Sequence, residues 1–216
     1  MHGRFISFEG TEGSGKSTQI RRLAQRLEGQ GRRVRLIREP GGTPIGEEIR
    51  HTLKHSPANG AMTAEAELLL MNASRAQLVR EVIEPALAAG ECVLSDRFYD
   101  STLVYQGYGR GLDLERVRTV IDFAVGPVKP DRTLLLFVPL AVSEARRAER
   151  ERREGVVRDR LEEAGRAFFE RVEQGYKQIA QADRERIQWV DATQDMDTVE
   201  AAVWEAVKSM FSASRL

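Results

Sequence analysis

Residues Gly10-Thr11-Glu12-Gly13-Ser14-Gly15-Lys16-Ser17 match the pattern G-x-x-x-x-G-K-[ST] without a gap, and no other feature constrains the fold as tightly. A loop of this kind works only between a strand and a helix. Its glycines let backbone N–H groups turn inward toward an anion, and the helix behind it adds unpaired N-terminal donors and the positive end of its dipole. The flanking sequence supplies both elements. Phe5-Ile6-Ser7-Phe8 reads as a buried strand, and Ile20, Leu23, Ala24 and Leu27 fall on one helical face. The loop is thereby read as a phosphate cradle formed by Gly10, Thr11, Glu12, Gly13, Ser14, Gly15, Lys16, Ser17 and Thr18. Lys16 reaches the β- and γ-phosphates of ATP, and Ser17 ligates Mg²⁺.

The same alternation continues along the chain. Short apolar runs at residues 34–37, 92–94, 133–138 and 187–190 read as further buried parallel strands. Helical spacing appears in three later stretches: Leu68, Leu69 and Met71 continuing through Val79, Val82 and Ile83; Val117, Val120, Ile121 and Ala124; and Val199, Ala202, Val203, Ala206 and Val207. Strands alternating with helices predict a three-layer α/β/α fold of the P-loop NTPase type, with a five-stranded parallel sheet. One domain over 1–216 is expected, with an arginine-rich segment at 146–160 as an appendage and a frayed tail at 212–216.

Composition narrows the function classes. Formal net charge is zero, which gives no bulk attraction to nucleic acid or an anionic membrane, so neither is expected as a partner. The longest apolar run, 134–142, is broken by Pro139 and falls far short of the roughly 20 residues of a membrane span. The single cysteine, Cys92, sits in an apolar run and reads as a small buried hydrophobe. A cytoplasmic protein is expected. His2, His51 and His55 lie outside every motif and read as surface residues. The segment Val128-Lys129-Pro130-Asp131 lacks the amide residue of a guanine-reading Asn-Lys-x-Asp sequence, which disfavours a GTPase switch.

A second phosphate site is legible at the strand ends. Asp96-Arg97 closes the third strand and Arg38 the second, on the edge where open α/β sheets bind ligands. Asp96 suits a carboxylate that holds Mg²⁺ through water. Arg38 and Arg97 can converge on one dianion, each offering a planar fork of donors.

With Phe8-Glu9-Gly10-Thr11-Glu12-Gly13, Arg38-Glu39-Pro40-Gly41-Gly42-Thr43, Ala73-Ser74-Arg75-Ala76-Gln77, Asp96-Arg97-Phe98, Ser101-Thr102, Tyr105-Gln106-Gly107, Asp159-Arg160-Leu161-Glu162 and Asp191-Ala192-Thr193, the chain resembles the thymidylate kinases of bacterial type over nearly its whole length. The resemblance implies direct transfer of the ATP γ-phosphoryl group to dTMP. It places Arg38 and Arg97 on the dTMP phosphate, with Ser101 and Gln106 also lining the acceptor site. Arg75 is placed at the O4 edge of thymine and Thr102 near N3. Tyr105 is placed under the sugar, where it crowds out a 2′-hydroxyl, and Glu12 on the 3′-hydroxyl. A homodimer is implied as well. One position departs: Met71 stands where relatives often carry a base-stacking phenylalanine, and a thioether covers a π face with a softer fit.

Between residues 146 and 160 arginine and glutamate crowd together, and Gly155 breaks the helical pattern. Most of these charges suit a solvated helix, including the (i, i+4) pair Glu149 and Arg153. Phosphoryl transfer nevertheless needs positive charge on the moving group, and the loop carries Gly13 after Glu12 rather than an arginine. A lid delivering Arg150, Arg153 or Arg160 fills that need, and the resemblance also puts a catalytic arginine there. Lys16 and Arg97 complete the catalytic candidates. Two other readings stay open: a kinase of another monophosphate such as dUMP, AMP or GMP, and a P-loop ATPase switch with no second nucleotide site.

Overall fold

In the computed structural model, which describes residues 3–155, 160 and 164–211, five strands form one parallel sheet: β1 (Arg4–Glu9), β2 (Val34–Arg38), β3 (Cys92–Asp96), β4 (Arg132–Phe137) and β5 (Ile187–Asp191), in the order β2-β3-β1-β4-β5. From β1 the chain crosses to one side to build β2 and β3, then to the other to build β4 and β5. The loop after β1 therefore sits where the winding reverses, which is the ligand position of an open sheet.

Strand alternation sends side chains into two separate cores. Phe5, Val93, Leu135 and Ile187 face one core, packed by α3 (Ala64–Leu78), α6 (Leu114–Val125) and α8 (Arg166–Ala182). Ile6, Phe8, Leu94, Leu134, Leu136 and Val190 face the other, packed by α1 (Lys16–Gly29) and α9 (Met196–Val207). This is the three-layer arrangement expected from the sequence. Burial on both faces explains why β1, β3 and β4 read as near-continuous apolar runs.

Two of the five strands depart from the expectation of burial. β2 is an edge strand with Arg35 and Leu36 exposed, and on the opposite edge Trp189 of β5 is exposed. A strand with one neighbour and partial helix cover has nothing to bury its outer side chains. Leu69 likewise points outward from α3, although the spacing argument counted it with the inward face. After α3 the helix widens into a π-type turn at Val79–Ile83 and resumes as α4 (Glu84–Ala88), so the long helix read from Leu68 to Ile83 is real but not uniform.

The part of the arginine-rich segment up to Glu154 belongs to α7 (Leu140–Glu154), whose first half packs against the body: Arg147 is buried with its guanidinium 4.7 Å from the Phe169 ring centroid. Gly155 ends α7 in the left-handed region, as its place in the sequence suggests. Residues 156–159, including Asp159, lie outside the described residues, as do Leu161 and Glu162, the expected tail at 212–216, and His2.

Candidate active site

Helices α2 (Pro44–Lys54), α3, α6 and α9 begin with a side-chain cap from Thr43, Thr63, Asp113 and Asp195 respectively. Helix α1 begins differently. Its cap residue is Gly15 at φ 87°, with no side-chain cap and no acidic residue in the first turn. The positive end of α1 is thus left for an external anion. Gly10 is required as well: its φ is 135°, and a Cβ there would lie 2.4 Å from the Leu136 carbonyl oxygen.

Lys16 folds back over the loop and donates to the Gly10 and Thr11 carbonyls at 3.0 and 2.9 Å. Burial lowers its pKa, as does the nearby Arg97 charge, against the opposing pull of Glu12, Asp96 and Glu9. Among the described residues no cluster of three or more His, Cys, Asp or Glu side chains is built to hold a metal. However, the Ser17 hydroxyl donates to Asp96 Oδ2 at 3.0 Å. A hydroxyl and one carboxylate beside a phosphate cradle fit Mg²⁺, which keeps much of its shell in water and phosphate oxygens.

The strand register brings the second set of groups to this loop. Phe8 of β1 and Arg38 of β2 both pair with Asp96 of β3. Arg97 follows at φ 71°, the one non-glycine residue with positive φ among those described, a conformation that costs an L-residue energy and persists only where the surroundings hold it. Its guanidinium donates to Ser101 Oγ at 3.0 Å and to the Tyr176 hydroxyl at 3.3 Å. It also donates to Glu12 Oε1 at 3.1 Å and to the Tyr105 hydroxyl at 3.4 Å. Burial opposes the Arg97 charge, but Tyr105, Tyr176, Glu12 and Glu9 outweigh it and hold its pKa well above the ordinary value. Burial alone would raise the Glu12 pKa, yet Lys16 and Arg97 keep that carboxylate well below the usual range.

Beyond Arg97 a cavity opens, walled by Glu12, Pro40, Lys54, Met71, Arg75, Thr102, Tyr105 and Gln106 among others. Arg75 is buried, and three of its N–H groups are committed: Nε to Glu39 at 2.9 Å, Nη1 to Asn72 at 2.8 Å and Nη2 to Thr102 at 2.9 Å. Five donors on a fixed plane leave hydrogens for a ligand acceptor while the group stays rigid. Tyr105 and Gln106 come from a wide π-type turn, Leu103–Gly109, that follows the short α5 (Tyr99–Thr102), the kind of local widening that recurs at functional sites. Gln106 donates to the fully buried Glu67 at 2.7 Å.

Arg38 does not join Arg97. Its fork is engaged by Glu47, with both N–O distances 2.9 Å, and it is absent from the cavity wall. Sequence reasoning also missed four residues around the site. Glu9 closes β1 fully buried, accepting from Phe98 N at 2.8 Å, Ser101 Oγ at 2.5 Å and Tyr176 OH at 3.1 Å. Burial, and then Asp100, push its pKa up to about 7. A charged residue ending an otherwise apolar strand was the available signal for Glu9. Tyr176 on α8, Glu67 on α3 and Lys54 on α2 lie in no motif.

A family model described as thymidylate kinase matches residues 8–203. The chain is 48% identical over 203 residues to a thymidylate kinase of Pseudomonas savastanoi, covering 94% of both chains. It is 45% identical over 215 residues to one from Pseudomonas syringae, covering 100% of both. This chain belongs to the thymidylate kinase family. The crystal structure of thymidylate kinase from Ehrlichia chaffeensis has a TM-score of 0.74 at 30% identity, covering 96% of this chain and 99% of that one.

In this chain the three lid candidates part company. Helix α7 lies on the phosphate loop: Ser143 Oγ donates to the Glu12 carbonyl at 2.7 Å, and Arg146 donates to the Gly13 and Ala192 carbonyls at 3.2 and 3.0 Å. Arg150, one turn on, stands 3.6 Å from Glu12 Oε2. Arg153 is exposed and lines an outer hollow with Arg146, Glu149 and Arg150. Arg160 is drawn elsewhere, to Glu67 and to the Met62 carbonyl at 2.9 Å. Only Arg150 of the three is placed at the loop.

Two sequence readings outside the site can be located. Asp131, in the segment weighed as a guanine reader, accepts from Phe5 N at 2.7 Å and so ties β1 to the start of β4. Cys92 is buried, and burial pushes its thiol up to about 12; it is a packing residue.

Proposed function

We infer that the chain catalyses direct transfer of the ATP γ-phosphoryl group to the phosphate of dTMP, giving ADP and dTDP. One observation supports this reading beyond family membership: the start of α1, which has no side-chain cap and carries Lys16, and Arg97 at φ 71° with its cavity lie together at the carboxyl ends of adjacent strands, as a donor and an acceptor phosphate would require. A switch protein has no use for the second. The acceptor phosphate is itself the nucleophile, so the protein contributes position, desolvation and positive charge. Residues 10–18 cradle the donor phosphates, and Lys16, Arg97 and Arg150 face the charge that develops between the two substrates. Ser17 and Asp96 are the residues that would hold Mg²⁺, which shields and orients the donor phosphates when bound.

On the acceptor side, Arg97 holds the phosphate, Ser101 supports it, and Tyr105 packs beneath the sugar beside Glu12. Arg75, Thr102 and Gln106 read the pyrimidine edge, with Met71 covering its face. Arg38, tied to Glu47, is assigned the outer rim of this site, while Arg153 and Arg160 serve the lid rather than the transferred group. The chain is taken as one domain with its lid at about 146–160. Ile45, Leu69 and Phe123 are exposed on α2, α3 and α6, and α3 packs against both others; this apolar surface supports a homodimer. No helix among the described residues is long and apolar enough to cross a membrane, and a cytoplasmic location suits a lone thiol kept as packing.

The test is ADP release measured with dTMP, dUMP, UMP, AMP and GMP side by side. Turnover is expected to depend on the acceptor and to be greatest with dTMP. ATP hydrolysis indifferent to the acceptor, or a preference for a purine, would remove the reading of the cavity.

A further inference from the structure

We propose that Lys54 is a direct ligand of the acceptor's phosphate, the second cation of that subsite beside Arg97. Family membership and the sequence motifs assign it nothing. Two cations that the sequence places together at adjacent strand ends, Arg38 and Arg97, are separated in the structure, because Glu47 takes both arms of the Arg38 fork at 2.9 Å. The cavity wall instead contains Lys54, from the last turn of α2, together with Arg97 and Glu12. Its neighbour Leu53 is fully buried, which fixes the backbone from which the lysine reaches across.

The charges place Lys54 at the phosphate end of the cavity rather than the base end. Arg75 belongs to the base end, held by Glu39, Asn72 and Thr102. Arg97 lies 3.1 Å from Glu12, and Lys54 is close enough to act on the same carboxylate. Glu12 offsets one positive charge there. Lys16 and Arg150 face the same carboxylate from the donor side, so on the acceptor side Lys54 adds a second positive charge to that of Arg97 toward an incoming phosphate monoester. A flexible ammonium on a half-buried stem suits this task, since it follows the phosphate as the group moves toward the donor.

The inference rests on the cavity holding the acceptor nucleotide, and the experiment separates the two claims. Calorimetric titration of wild type, Lys54→Met and Lys54→Arg with dTMP and, separately, with thymidine reads the phosphate contact directly. Lys54→Met is expected to weaken dTMP roughly tenfold, the scale of one charge-assisted hydrogen bond at a half-exposed site, and to leave thymidine within about twofold. Lys54→Arg should restore most of the dTMP affinity. Unchanged dTMP affinity in Lys54→Met would overturn the assignment alone. Equal weakening of dTMP and thymidine would do the same, because it would make Lys54 a wall residue or a support for Glu12. Wild type that binds neither ligand would bring down the cavity reading and this proposal with it. Lys54→Gln, with thermal melts of each variant, keeps the comparison valid should the methionine variant fold poorly.

Discussion

At the scale of single residues the site is a set of charges held where water would otherwise screen them. Lys16 is buried, and its hydrogen-bond partners among the described residues are neutral, the Gly10 and Thr11 carbonyls and, at 3.5 Å, Ser14 Oγ, so a donor phosphate that displaces them meets an ammonium with no carboxylate hydrogen-bonded to it. Lys16→Met keeps the stem and removes the charge. The turnover number is expected to fall by at least about 10²-fold, while circular dichroism melts stay close to wild type; near-normal turnover would mean that the cradle is misassigned. Glu9 makes a prediction of the opposite kind, about stability. Its pKa is raised from the ordinary 4.5 to about 7, chiefly by burial and then by Asp100, itself buried and paired with Arg186 at 2.7 Å. The folded state therefore binds a proton that the unfolded chain releases between these values. The Glu9 contribution is complete below about pH 4.5 and is lost as pH rises through about 7. The melting temperature of wild type should consequently decline across this window relative to Glu9→Gln, whose profile should be flatter. Parallel profiles for the two proteins would show that Glu9 does not titrate there.

Elements decide which residues can act together, and this is where sequence reading succeeded and failed for identifiable reasons. The sheet, the glycine-rich turn between β1 and α1 and the place of Arg97 at the sheet edge were legible because each has a local cause: two-sided burial makes apolar runs, a tight strand-to-helix turn needs glycines at fixed spacing, and a strand end defines its own edge. Arg38 stands at the strand end where the sequence put it, but its partner Glu47 was not legible, since Glu47 reaches it from α2 through a turn whose geometry no periodicity reports. Tyr176 was illegible for a similar reason: the apolar spacing argument named no helix over 166–182, so nothing signalled that α8 would set a phenol 3.1 Å from Glu9. The lid shows the same limit. Three arginines of one composition-biased segment looked equivalent, and only the packing of α7 on Glu12 and Gly13 separates them. Arg150→Ala is accordingly expected to lower the turnover number by up to about 10³-fold with little change in the dTMP KM. Arg153→Ala, altering an exposed side chain, should stay within about threefold of wild type. Steady-state kinetics on both variants checks the assignment, and a larger loss in Arg153→Ala would reverse it.

At the scale of the whole molecule, α2, α3 and α6 each carry a large apolar side chain exposed to solvent: Ile45, Leu69 and Phe123. Phe123 is 87% exposed and Leu69 58%, values that a lone monomer gains nothing from, since water must be ordered around both side chains. The formal net charge of zero means that two copies approach without monopole repulsion, and association through these helices should be apolar in character. Such contact weakens little with added salt, because screening acts on charges and not on buried hydrocarbon. Sedimentation velocity at micromolar concentration is therefore expected to show a dimer at both 0.1 M and 1 M salt, two conditions whose Debye lengths differ about threefold. Phe123→Asp places a carboxylate where apolar surface would close, and an uncompensated buried charge is costly enough to favour the monomer. That variant should sediment as a monomer and keep its fold, because Phe123 contributes little to either core. A wild-type monomer, or a Phe123→Asp dimer, would show that this face is not where two copies meet.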